Sequence, residues 1–122
     1  MDVIYSYTRK QAIEDGLLVD VTQMAREAGF TVPVAITKTV WDEYIVPTDY
    51  DKKYWFQDLE GRLWDTLWIL RVPARRIMPP CNLLFKVYFV IRGRKRLVTL
   101  KAVFGWGDDG EPVITIMPPD ED

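Results

Sequence analysis

Three carboxylates fall within four residues near the end of the chain, in GWGDDGEPVITIMPPDED, where Asp108, Asp109 and Glu111 flank Gly110. Clustered acids are what general acid–base work or a hard cation requires. A turn explains them as well, because Asp-Gly suits a backbone with positive φ and acids keep a loop tip in water. The spacing departs from a calcium loop, which places oxygens at alternate positions over about twelve residues before a bidentate Glu. The turn is the simpler reading, so no catalytic residue and no metal site are expected there.

A second cluster carries the opposite charge: Ile91-Arg92-Gly93-Arg94-Lys95-Arg96. Cations gathered on one feature attract phosphates, and an aromatic such as Tyr88 on the same sheet face could stack on bases. The bland reading is a charged loop tip. Against a nucleic-acid role stand the pI of about 5.2 and an acidic tail that could fold back on the hairpin. Residues 66–107 contain no acid, whereas Asp108, Asp109, Glu111, Asp120, Glu121 and Asp122 come directly after. Histidine is absent and Cys81 is the one cysteine, which removes the commonest general base and the usual zinc ligand sets.

The elements that must position these groups can be read from pattern. With 122 residues, 48% apolar and 28% charged, the chain fits one domain, 1–122, ending in an acidic tail at 118–122. No secretion signal or membrane span is evident, and a cytoplasmic location is expected. Val3 to Tyr7 reads as a strand. Thr8-Arg9-Lys10-Gln11 has the form of a capping box opening a helix to about Asp15, and Thr22 to Ala28 reads as a second helix closed by Gly29. Val32 to Ile36 is extended, with Pro33 favouring a link or sheet edge. Thr37 or Thr39 could cap a third helix before Pro47. Residues 47–57 show no period and read as an aromatic surface loop carrying Tyr50, Tyr54, Trp55 and Phe56.

The strongest helix signal runs from Asp58 to about Val72, with Leu59, Leu63, Leu67 and Leu70 as its stripe, Trp64 and Trp68 widening it into the core, and Glu60, Arg62, Asp65 and Arg71 on the wet side. Alternation over 83–91 and 96–104, a tight turn at Gly93 and a strand over 113–117 then give a meander. The expected fold is α+β: N-terminal helices packed on a C-terminal three- to four-stranded antiparallel meander, with the first strand a candidate to join it.

Trp41, Trp55 and Trp106 lie near loops, where an exposed ring could anchor a partner. At the front, Tyr5-Ser6-Tyr7-Thr8, a short helix and Asp15-Gly16-Leu17 look in outline like the opening of ADP-ribosyltransferase folds, which bind nicotinamide dinucleotide. The chain departs from that pattern: Tyr5 and Tyr7 stand where a His or Arg is usual, and the late glutamates are Glu111 and Glu121 alone.

The blocks YSYTRKQAIEDGLLVDVTQMAREAGF, EGRLWDTLWILR and LVTLKAVFGWGDDGEPVITIMPPDED together resemble a family of small proteins of unknown function encoded by bacteria, their plasmids and phages. The resemblance spans nearly the whole chain and implies an accessory protein of mobile elements, with no catalytic residues to transfer and no cofactor. The expectation is a non-enzymatic protein that binds another protein, for example to interfere with host defence, through Asp108, Asp109, Glu111, Tyr54, Trp55 and Trp106. One alternative is nucleic-acid binding through Arg92, Arg94, Lys95 and Arg96. The other is a degenerate nicotinamide dinucleotide-binding fold using Tyr5 and Tyr7.

Overall fold

A computed structural model of the chain describes residues 7–121. The expected strand over Val3 to Tyr7, and with it Tyr5, lies outside the described residues except for Tyr7. Helix α1 (Arg9–Glu14) opens on the expected box: the Thr8 hydroxyl accepts from Gln11 N and the Gln11 side chain accepts from Thr8 N, both at 3.0 Å. Gly16 then turns the chain with φ +78°. The segment after it is β1 (Leu18–Asp20), which pairs antiparallel with β2 (Val34–Thr37). Helix α2 (Thr22–Glu27) lies between them and ends at Gly29, φ +106°.

Thr37, not Thr39, caps the third helix, which is one α turn, α3 (Lys38–Val40), continued by a π-helical turn, Trp41–Ile45. The largest departure from expectation is 47–57. It forms helix α4 (Asp49–Trp55), with Thr48 as its cap, acids in its first turn and Lys52 and Lys53 in its last. No apolar stripe marks this helix because its buried residue is Asp51. Helix α5 (Leu59–Ala74) comes next, admitting Pro73 in its final turn.

Strands β3 (Cys81–Ile91), β4 (Arg94–Trp106) and β5 (Pro112–Met117) form the expected antiparallel meander. The sheet, however, has five strands in the order β1-β2-β5-β4-β3 and is mixed, because β2 lies parallel to β5 in the register Val34↔Ile114 and Ile36↔Ile116. Of the two places expected for Pro33, it takes the link, just before an interior strand, and not the sheet edge. Lacking an N–H, it serves through its carbonyl, which accepts from Ile114 N at 2.9 Å.

One sheet face carries the core. Phe85, Val87 and Phe89, Leu100, Ala102 and Phe104, Ile114 and Ile116, and Val34 and Ile36 meet Leu63, Leu67 and Leu70 of α5 and Ala25 of α2. Two assignments on α5 are corrected. Arg62 is buried on the core side, four residues before the buried Thr66, and Trp68 is exposed. The opposite face is covered only in part. Helix α1 sits over the β1–β2–β5 half, sending the Arg9 guanidinium to Thr115 Oγ1 (2.6 Å) and the Ile114 carbonyl (2.8 Å). On the β3–β4 half, Leu84, Lys86, Tyr88, Lys95 and Leu97 remain exposed.

Candidate functional site

The hairpin joining β3 to β4 has two turn residues, Arg92 (φ +53°) and Gly93 (φ +75°), the paired left-handed conformation that matches strand twist. Arg92 occupies a position where Asn would be cheaper. A buried carboxylate fixes this tip. Asp51, fully shielded from solvent, accepts from Arg92 N through Oδ2 and from Gly93 N through Oδ1, each at 2.9 Å, and from the Thr48 hydroxyl at 3.1 Å. Arg62, 5% exposed, faces it at 3.6 Å and donates to the Tyr44 carbonyl (2.8 Å), the Val90 carbonyl and Gln57 Oε1 (3.3 Å). Burial alone would raise the Asp51 carboxyl; the two turn amides, the Thr48 hydroxyl and the Arg62 charge outweigh it and hold the group below its ordinary value.

This bond set brings the aromatic segment to the basic hairpin. The Trp55 ring lies so near Gly93 that a Cβ there would stand 2.7 Å from the indole Nε1. Tyr50 and Tyr54 pack together at 5.1 Å on α4, and Phe56, in the left-handed region at φ +53°, is 89% exposed. Around them Lys52, Lys53, Arg92, Arg94, Lys95 and Arg96 are all exposed. On the open sheet face, register places Tyr88 opposite Leu97, Lys86 opposite Thr99 and Lys95 opposite Val90, with the Lys95 ammonium 4.5 Å from the Tyr88 ring centre. Exposed cations and rings thus flank the hairpin on both sides: Lys86, Tyr88, Lys95 and Leu97 on the open sheet face, and Arg94 and Arg96 on the other, opposite Ile91 and Phe89.

The acids of the 107–111 turn lie elsewhere. Strand β4, Arg94–Trp106, separates the hairpin from the 107–111 turn by about 40 Å. The proposed grouping of Tyr54 and Trp55 with Asp108, Asp109 and Glu111 is therefore split, and only Trp106, 58% exposed, stays with the acids. Asp108 has internal work: its Oδ1 and Oδ2 accept from Arg9 N (2.8 Å) and Lys10 N (3.0 Å), capping the start of α1. Glu111 Oε1 accepts from Asp109 N at 3.1 Å inside the turn, and Gly110 has φ +78°. The tail lies beside Thr99 and Tyr44, with the Glu121 carbonyl accepting from the Lys101 ammonium. Tyr7 donates to Asp15 across α1.

The Lys10 and Arg9 amides hold the Asp108 carboxyl below its ordinary 3.8. A depressed carboxyl contributes its full stabilisation above the unfolded value and loses it as pH falls through the lower folded value. Docking of α1 is accordingly expected to loosen in that acid window. Asp108→Ala should produce the same loosening at neutral pH, seen as faster amide exchange at Ala12 and Asp15 with core amides unchanged, whereas Asp109→Asn should alter neither. Unchanged α1 exchange in Asp108→Ala would show that the carboxylate does not clamp the helix.

Sequence reading found the cations and rings of the site but not Asp51, Arg62 or the contact between Trp55 and Gly93. Signals for α4 were present in Thr48-Asp49-Tyr50-Asp51-Lys52-Lys53: a hydroxyl cap, acids in the first turn and bases in the last. Comparison of the chain with protein-family models, with curated proteins and with solved structures finds no match.

Proposed function

We propose that this chain acts by binding, not by catalysis, and that its principal ligand is single-stranded nucleic acid laid along the open face of β3 and β4 and gripped at the hairpin tip by α4. The observation that carries this reading is the Asp51 anchor, which ties the aromatic helix α4 to the turn amides of the basic hairpin. Backbone phosphates take the cations, and unpaired bases take the rings of Tyr88, Tyr54 and Phe56, contacts a duplex cannot offer because its bases are already stacked. Of the acids behind the low pI, those of the 107–111 turn lie at the far end of β4, whereas Asp120 and Glu121 lie beside Thr99 and Asp49 opens α4. In the setting implied by the resemblance, such a protein would serve a mobile element by holding or shielding its strand.

Anisotropy of a labelled single strand, compared with a duplex of equal length, tests this. The single strand should bind more tightly, and Tyr88→Ala should weaken it by about tenfold, the loss of one stacked base. Equal binding of duplex and single strand, indifferent to Tyr88, would mean a generic polyanion site and contradict the reading. Phe56 adds a sharper expectation. A left-handed L-residue is strained, so Phe56→Gly should raise stability by about 0.5–1 kcal/mol while lowering single-strand affinity. A variant both less stable and fully active would show that the ring serves packing instead.

A protein partner remains the second reading, favoured by the exposed Trp106 at the other end of the sheet. It requires that Trp106→Ala abolish capture of a nuclease-resistant partner while leaving strand binding intact.

A further inference from the structure

A cavity of about 370 Å³ opens between the end of α5, the link after α2 and the end of the sheet near Phe104 and Val113. That size suits a small organic ligand. Its wall is largely apolar, from Phe30, Ile77, Phe104 and Val113, and its charged lining residues are Arg71 and Arg75, with no carboxylate among the described residues. Arg71 is held in an unusual way. Trp64 and Trp68, a helical turn apart, stack at 5.4 Å, and the Arg71 guanidinium lies 3.6 Å from the Trp68 ring centre. Trp64 packs against the core, and Trp68, stacked on it and exposed, forms a shelf under the guanidinium. Its Nε–H is buried and meets no acceptor among the described residues, an arrangement that ordinarily carries a penalty.

We infer that this cavity binds a small organic carboxylate with an apolar chain or ring. The apolar wall takes the body, and the carboxylate pairs with the guanidinium groups of Arg71 and Arg75, the charged lining residues. The stacked shelf fixes the guanidinium before the ligand arrives, so little side-chain freedom is lost on binding. Neutral molecules of the same shape would bury the same surface but bring no charge to the two guanidinium groups. The site lies at the opposite end of β4 from the hairpin, so it stands or falls independently of strand binding.

The test is a titration of the whole protein with octanoate and with 1-octanol, followed through backbone amide shifts. Octanoate is expected to move Phe30, Ile77 and Val113 and to bind about tenfold or more tightly than 1-octanol, the difference made by one charge-assisted contact. In Arg71→Met, octanoate should fall to the level of 1-octanol. Equal affinity of the two probes for the native protein, shifts confined to other residues, or no binding of octanoate would each overturn the inference. Should Arg71→Met fail to fold, the comparison of the two probes on the native protein decides alone.

Discussion

Replacement of Asp51 by alanine is expected to destabilise the protein by about 3–5 kcal/mol, the usual consequence of leaving one member of a buried ion pair without its partner. Three losses combine. Arg62, 5% exposed, keeps its charge with no carboxylate beside it. The amides of Arg92 and Gly93 lose their acceptor at the tightest point of the hairpin. Helix α4, which has no apolar face, loses its buried attachment. Denaturant unfolding of Asp51→Ala and of Asp51→Ala/Arg62→Met measures this, and the double variant should lose less than the two single losses added together. Simple additivity would mean that the two side chains do not act as a unit. Acid should reproduce the effect: a carboxyl held below its ordinary 3.8 gives its full contribution above that value and loses it as pH falls through the folded one. Because Asp51 positions both halves of the surface, even folded Asp51→Ala protein should bind a strand poorly.

The second large effect concerns affinity. Combined alanine substitution of Arg92, Arg94, Lys95 and Arg96 should weaken single-strand binding on the order of a hundredfold with little change in stability, since all four side chains are exposed and none makes an ion pair among the described residues. Salt gives an independent measure. Four phosphate contacts to a single strand imply a log–log slope of about −3, hence a roughly fiftyfold loss between about 50 and 200 mM salt, and the four-site variant should flatten that slope nearly to zero. A variant that loses affinity but keeps the native slope would place the phosphate contacts elsewhere, on Lys52, Lys53 or Lys86.

Legibility in the sequence tracks the range of the interactions. The Thr8–Gln11 box, the Gly93 and Gly110 turns and the alternation of β3 and β4 are settled within a few residues, and each is found where pattern places it. Asp51 is bound to residues 41 and 42 positions away, and no local pattern marks a carboxylate as buried. The same holds for Arg62, whose place among polar residues of α5 suggests water, although charged groups enter a core when paired. Pairing of β2 with β5 depends on closing a long excursion of chain, and parallel register leaves no turn signature between the strands. Trp68 was misleading for a different reason: helical spacing put it on the side of Trp64, which packs against the core, yet Trp68 itself is exposed. The acids at 108–111 were legible as a turn, whereas the capping of α1 by Asp108 spans 99 residues and was not.

The claim that the hairpin, α4 and the open sheet face form one strand-binding surface is tested most directly by amide-shift mapping with an oligothymidine of about twelve nucleotides. Shifts concentrated at Phe56, Lys86, Tyr88, Lys95 and Leu97, with Trp106 to Glu111 unmoved, are the expected result. Shifts at Trp106 to Glu111, or none anywhere on β3 and β4, would contradict it.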